Sequence, residues 1–240
     1  MNITIVRMVI GILLLLIPAL ILFRFDRRFL RQSAVVLGRL TVTLLVLAGC
    51  LYYIFQWDKA WVNILWVLLT SGIATAIYCR KRWQSVPIYI SMTVMTFVMG
   101  IIVLLLMDVP SLFCASYFLP VMTMLQAEAL FVCRRGITTY VFERRTHKEL
   151  FEYLRGNGAN PLEALRPFLT KAVTRAFTPV LQQFLLVGLV FIPSLLCGLL
   201  MGGFSPLQSM AFLALMTAAA LCSTMLTLIF SIYIYTRISA

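Results

Sequence analysis

The placement of basic residues constrains this chain more than any other feature. Of 20 Lys and Arg, all but Arg7 and Lys59 lie in or beside a few polar patches that separate long apolar runs. A bilayer core about 30 Å thick takes roughly 20 apolar residues in helix. Seven runs reach that length: 5–23, 34–56, 60–79, 86–107, 111–133, 180–201 and 207–233. With the N-terminus outside, the basic patches at 24–39, 80–82, 134–175 and Arg237 fall on one side. The short links at 57–59, 108–110 and 202–206 fall on the other. Loops rich in Lys and Arg stay on the cytoplasmic side. The expected fold class is all-α: a polytopic transmembrane bundle of about seven helices in the cell membrane, N-terminus out and C-terminus in. One transmembrane domain is expected over 1–240, with a cytoplasmic segment at 134–178 inside it.

Composition removes several function classes. Hydrophobic residues make up 62% and charged residues 12%, about half the charge of a soluble domain. The net charge of +12 does not point to nucleic acid, because it sits in short loops where topology accounts for it. The lipid bilayer, with its anionic head groups, is the second partner for that charge. The first run is read as a retained helix and not a cleaved leader. Arg24, Arg27, Arg28 and Arg31 follow it directly, and no small-x-small cleavage site precedes a polar start. The six cysteines contain no CxxC pair, and the one histidine is His147. Metal-site spacing is absent, and the cysteines read as small packing residues. GxxxxGK[ST], GxSxG and HExxH are all missing. The chain is therefore expected to carry no catalytic residues, no cofactor and no ATPase site of its own.

The 134–178 segment is where the sequence spends residues outside the bilayer, and long ordered connections are usually functional. Residues 137–154 lack Gly and Pro, so the fifth membrane helix is expected to run on through them. Arg145 with Glu149, and Lys148 with Glu152, have the i,i+4 spacing of ion pairs. Gly156-Asn157-Gly158 is a stop signal. Asn160 then suits an N-cap, Pro161 the first helical position, and Glu163 the third residue of a capping box. Pro167 is expected to interrupt this helix, and a second short helix at 168–178 to lead into Pro179. Docking of this shape into a groove of a cytoplasmic partner and a plain reversing linker both fit the pattern.

Inside the spans, Pro120 and Pro193 each remove a backbone hydrogen bond and kink their helices. Gly188, Gly198, Gly202 and Gly203 add to the deformability of the sixth helix. Met92, Met95 and Met99 share one face, which suits either a soft-metal path or core filling. Glu128 is acidic within the fifth span, where insertion costs on the order of 3 kcal/mol. Two readings stand. It lines a translocation route and helps bind a cation, with Met124 one turn earlier. Or it snorkels, or pairs with Arg134, Arg135 or Arg39.

One stretch carries a family resemblance. Gly158-Ala159-Asn160-Pro161-x-x-Ala164, then Pro179, Val187-Gly188-Leu189-Val190-x-x-Pro193, Gly198 and Gly203-x-x-Pro206 resemble the FetB family. These are permease subunits of bacterial iron-export ABC transporters, and plant aluminium-sensitivity permeases are similar. Gly38-Arg39, Asp58 and Lys81-Arg82 also look like the family. The resemblance covers roughly 30–237. It implies a permease that works with a separate ATP-binding cassette ATPase subunit, two copies of each, and makes 134–178 the coupling element. Gly158, Ala159, Asn160, Pro161, Glu163 and Ala164 are the implied coupling residues. Glu128, Met124, Thr43, Pro193 and Gly198 are the candidate translocation path, and the metal ligands are unassigned. The chain departs from the family's polar lining. Thr43 stands for a Gln, Ala127-Glu128 for a Gly-Asn pair, Ser194 for a Gly, Ser205 for an Asp and Leu213 for a Gln. The departures bear on the substrate more than on the permease role.

The leading functional expectation is a permease subunit that exports a metal ion (iron-like) or a small solute, powered by the separate ATPase. The alternative is a non-transport membrane scaffold or sensor that recruits a cytoplasmic partner through the basic segment. A self-contained carrier would show internal repeats and several charged residues at the midplane, and neither is evident.

Overall fold

The computed structural model describes residues 27–79, 82–109, 111–186 and 194–238. Among them every regular element is a helix. Five helices are long and apolar enough to cross a membrane: Arg31–Trp57, Ala60–Tyr78, Ser85–Leu106, Ala115–Thr146 and Pro206–Ile238. The expected first span at 5–23 lies outside the described residues. The expected sixth, at 180–201, is described only at its two ends.

The chain divides after Trp57 into two compact units. Helix α1 (Arg27–Trp57) is the described part of the first. Most of its aliphatic side chains stand exposed, Leu45 at 70%. Thr41 and Thr43 donate their hydroxyls to the carbonyls of Leu37 and Arg39 at 3.0 and 2.8 Å. A hydroxyl satisfied within its own helix is tolerated in hydrocarbon.

The second unit holds α2 (Ala60–Tyr78), α3 (Arg82–Leu106), α4 (Ala115–Thr146), α5 (Lys148–Gly156), α6 (Pro161–Leu186), α7 (Ser194–Met201) and α8 (Pro206–Ile238). Its centre is the packing of α3, α4 and α8, and α6 lies along α4. The sequence dictates this by spacing. On α4, Phe118, Met122, Leu125, Ala129, Val132, Gly136, Tyr140 and Glu143 are buried. On α8, Ser209, Leu213, Met216, Ala220, Ser223, Thr227 and Ser231 are buried. Steps of three and four average close to 3.6 residues, the helical period that keeps one face turned to its neighbours. Small residues set the closest approach. A Cβ at Gly136 would collide with Leu228, and one at Gly100 would lie 2.5 Å from the Met122 sulfur. Met92 is part of the buried core with Ile88, Cys79 and Cys133.

Two local expectations are corrected here. The helix begun at Ala115 does not run through to 154. It ends at Thr146, His147 leaves helical geometry at φ −115°, ψ 45°, and α5 begins at Lys148. The break turns α5 back against α6, where Phe151 packs on the core cluster. The break also separates Arg145 from Glu149, and no ion pair joins them. Lys148 and Glu152, both beyond it, do pair at 3.3 Å. Pro167, in turn, does not interrupt the helix that follows. Helix α6 is continuous from Pro161 to Leu186 and carries both Pro167 and Pro179 inside it. Its buried stripe is unbroken through Ala164, Leu165, Phe168, Ala172, Ala176, Phe177 and Val180. Both prolines fall on the exposed side. Packing along the whole stripe outweighs the local cost of each ring.

Candidate functional site

The candidate coupling residues form one compact turn. Helix α5 ends in a Schellman motif. The Ala159 amide donates to the Leu154 carbonyl at 3.1 Å, and the Gly158 amide to the Arg155 carbonyl at 3.1 Å. Gly158 occupies the left-handed position these bonds need, at φ +87°. Helix α6 begins two residues later. The Asn160 amide donates to Glu163 Oε2 at 2.9 Å, and the Ala164 amide to the Asn160 carbonyl at 3.0 Å. Glu163 thus makes the reach-back half of a capping box. Asn160 and Glu163 stay exposed, while Ala164 is fully buried against the bundle. The turn is rigid in its backbone and open on its polar face.

A second feature holds this turn to the membrane helices, and the sequence reading missed it. Glu143, near the end of α4, is 4% exposed. Its Oε2 accepts from Lys171 Nζ at 2.9 Å and lies 3.6 Å from His147 Nε2, and its Oε1 lies 3.4 Å from Arg175 Nη1. Lys171 and Arg175 are one turn apart on α6, so one carboxylate clamps two successive turns to α4. The available signal was an isolated acid among Arg134, Arg135, Arg144 and Arg145, with two cations at i,i+4 spacing downstream.

The other end of the bundle carries a matching clasp. Cys114, the N-cap of α4, makes no side-chain cap bond. Asp58 supplies it from the link between α1 and α2. Its Oδ1 accepts from the Ala115 amide at 2.7 Å, its Oδ2 from the Cys114 thiol at 3.3 Å, and Asn63 Nδ2 lies 3.3 Å from Oδ1. Asn63, fully buried, also donates to the Phe113 carbonyl at 2.8 Å. Asp58 takes a left-handed backbone, φ +36°, a region Asp tolerates better than most residues. The Ala115 amide, and next the Cys114 thiol, hold the Asp58 carboxyl below the usual carboxylate range.

The candidate path residues are spread over several elements. Glu128 is half-buried on α4, with Met124 half-buried one turn before it. No described hydrogen bond or ion pair joins Glu128 to another residue. Arg134 does not reach it, because its guanidinium lies over the Tyr78 ring at 4.0 Å. Gln126, and not Glu128, faces the interior of the bundle. It is 6% exposed, and its Nε2 has no hydrogen-bond partner. Gly198 lies on α7, with open space where a Cβ would stand. Thr43 belongs to α1 in the first unit, and Pro193 lies outside the described residues. Among the described residues no three His, Cys, Asp or Glu side chains gather as metal ligands.

The family described as an uncharacterised protein family, UPF0014, matches residues 5–239. The chain belongs to the UPF0014 family. It is 23% identical over 193 residues to the "UPF0014 membrane protein YjkA" of Bacillus subtilis (strain 168), covering 79% of this chain and 76% of that protein. It is 23% identical over 231 residues to the "Probable iron export permease protein FetB" of Escherichia coli (strain K12), covering 94% of this chain and 88% of that one. No solved structure matches the chain. Family membership and the spans together make this UPF0014 protein a multi-pass protein of the plasma membrane.

Proposed function

We propose that this chain is the membrane-spanning subunit of an ABC transporter, with its basic loops in the cytoplasm. It exports a metal ion or small solute and works as a homodimer with a separate ATPase subunit. One observation carries the reading: a rigid, backbone-locked turn at 158–164 stands at the start of a single helix. That helix runs without a break alongside α4 and is clamped to it through Glu143. A linker needs no such clamp. An element that passes motion from a soluble motor to membrane helices does. The relative named as an iron export permease supports the substrate class. Glu128 and Met124, with Thr43, Pro193 and Gly198, are the proposed path. Among the described residues the half-buried Glu128 has no hydrogen-bond or ion-pair partner, which supports a role toward a cation.

The test is reconstitution with the cognate ATPase subunit. The chain alone should hydrolyse no ATP. The complex should form and turn over ATP, and Gly158→Val should cut that turnover with membrane insertion intact. Wild-type turnover in Gly158→Val would refute the coupling role. Orientation is tested by cysteine labelling on a cysteine-free background. Reagent added outside should reach position 205 and not position 145.

A further inference from the structure

At the end of the bundle opposite the basic loops, the start of α4, the end of α7 and the start of α8 enclose a pocket of about 440 Å³. Its size falls in the range of small-molecule sites. Most of the wall is apolar, with Leu199 and Phe204 on one side and Pro120 on another, and among the described residues no charged one lines it. The wall is fixed by backbone structure. Helix α7 ends in a second Schellman motif, in which the Phe204 amide donates to the Leu199 carbonyl at 3.2 Å and Gly203 sits at φ +89°. This brings both side chains to the pocket.

Two polar groups in that apolar wall lack the partners their positions would normally give them. Ser209 is 1% exposed and lines the pocket, yet its Oγ has no hydrogen-bond partner. The contrast lies within its own helix. Thr217, Thr224, Thr227, Ser231 and Thr236 each return a hydroxyl to a carbonyl three or four residues back. Ser209 does not. The second group is the Ser116 carbonyl. Its i+4 donor would be residue 120, and Pro120 has no amide hydrogen to give. Ser116 and Pro120 both line the pocket. Ser116 is exposed, so the weight falls on Ser209, because buried polar groups are rarely left unpaired.

We infer that this pocket binds an uncharged, largely apolar molecule that presents a hydrogen-bonding group to Ser209. A bare ion or charged solute does not suit it, because the walls offer no charge to pair with. The chemistry is shared by a bilayer lipid entering from the side and by a free lipophilic solute. The site does not rest on the transporter reading, and it is measured on this chain alone.

The test uses the full chain in nanodiscs, with N-phenyl-1-naphthylamine as the probe. This molecule is an uncharged aromatic with one N–H donor, and its fluorescence rises in apolar sites. Saturable binding above that of protein-free nanodiscs is expected. Leu199→Trp fills the pocket and should abolish it. Ser209→Ala should weaken it about 3–10-fold, the worth of one hydrogen bond. The same substitution should leave the melting temperature of the chain unchanged or higher, since it deletes a hydroxyl that has no partner. A structural serine would instead lower it. Native mass spectrometry separates the sources. A stoichiometric lipid adduct in the wild type that Leu199→Trp loses assigns the site to a bilayer lipid, whether or not the probe enters. Saturable probe binding without an adduct assigns it to a free solute. Absence of both overturns the inference. So does binding or an adduct that survives Leu199→Trp, or a Ser209→Ala chain that melts lower and binds as before.

Discussion

Two glycines two residues apart should respond to alanine with opposite signs. Gly158 sits at φ +87°, and a Cβ there would meet nothing within 4 Å. The cost of Gly158→Ala is therefore purely conformational. A left-handed backbone costs an L-residue about 1–2 kcal/mol. Gly156 lies in the last turn of α5 at ordinary helical φ, also with open space around its Cβ position. There alanine removes the entropy penalty of glycine, worth about 0.5–1 kcal/mol. The readout is hydrogen exchange at the Ala159 amide, whose bond to Leu154 closes the motif. Local opening sets that rate. Gly158→Ala should speed exchange roughly 5–30-fold, and Gly156→Ala should slow it roughly 2–5-fold. Packing is open at both positions, so side-chain bulk cannot produce the difference. Equal rates in the two variants would refute the claim that backbone handedness holds this turn.

Other outcomes follow from the same geometry. Glu143→Gln should lower the melting temperature and speed exchange along 163–175. Adding Lys171→Met to it should change little more, because both act through one contact; additive effects would sink the clamp. The depressed Asp58 carboxyl contributes stability that is present above the ordinary carboxylate pKa. That stability is lost as pH falls through the lowered one, so the window lies below about pH 4. Exchange at the Ala115 amide should rise in that acid window in the wild type and stay flat in Asp58→Asn; matching profiles would remove Asp58 as the cap. Glu128→Gln should reduce substrate-stimulated ATP turnover of the assembled transporter at unchanged thermal stability. Lowered stability with stimulation retained would make Glu128 structural.

Much of the architecture was legible because a bilayer simplifies the reading. Length and hydropathy place a span, and the runs at 34–56, 60–79, 86–107, 111–133 and 207–233 all fall on long helices. The stop at Gly156-Asn157-Gly158 was equally plain, since a Schellman cap is written in local chemistry. What failed was everything decided by tertiary packing. Local propensity says that Pro167 ends a helix, but it carries no term for an apolar stripe continuing to Val180. Nothing in 137–154 breaks a helix by composition, yet the helix stops at Thr146 and α5 begins at Lys148. Glu143 was passed over for Glu128, because an acid inside a span draws the eye and one in a basic loop does not. Its partners on α6, Lys171 and Arg175, lie 28 and 32 residues downstream, and only the fold brings them to it.

The continuity of α6 has a mechanical consequence. A helix of 26 residues is a rod about 39 Å long, and this one crosses from the charged end of the bundle into its apolar body without a joint. Rods of this kind transmit load along their axis and yield at their softest points. Each proline lacks one bond of the ladder, so the soft points are fixed in the sequence at 167 and 179. Both rings lie on the exposed side, so a bend imposed by crowding against the preceding carbonyl would close toward the packed side. Load applied at Asn160 would first tighten that curve, shortening the span between its ends like a flexing spring. Displacement would reach the bilayer as a change of tilt beyond Pro179, and the Glu143 clamp would serve as the fulcrum.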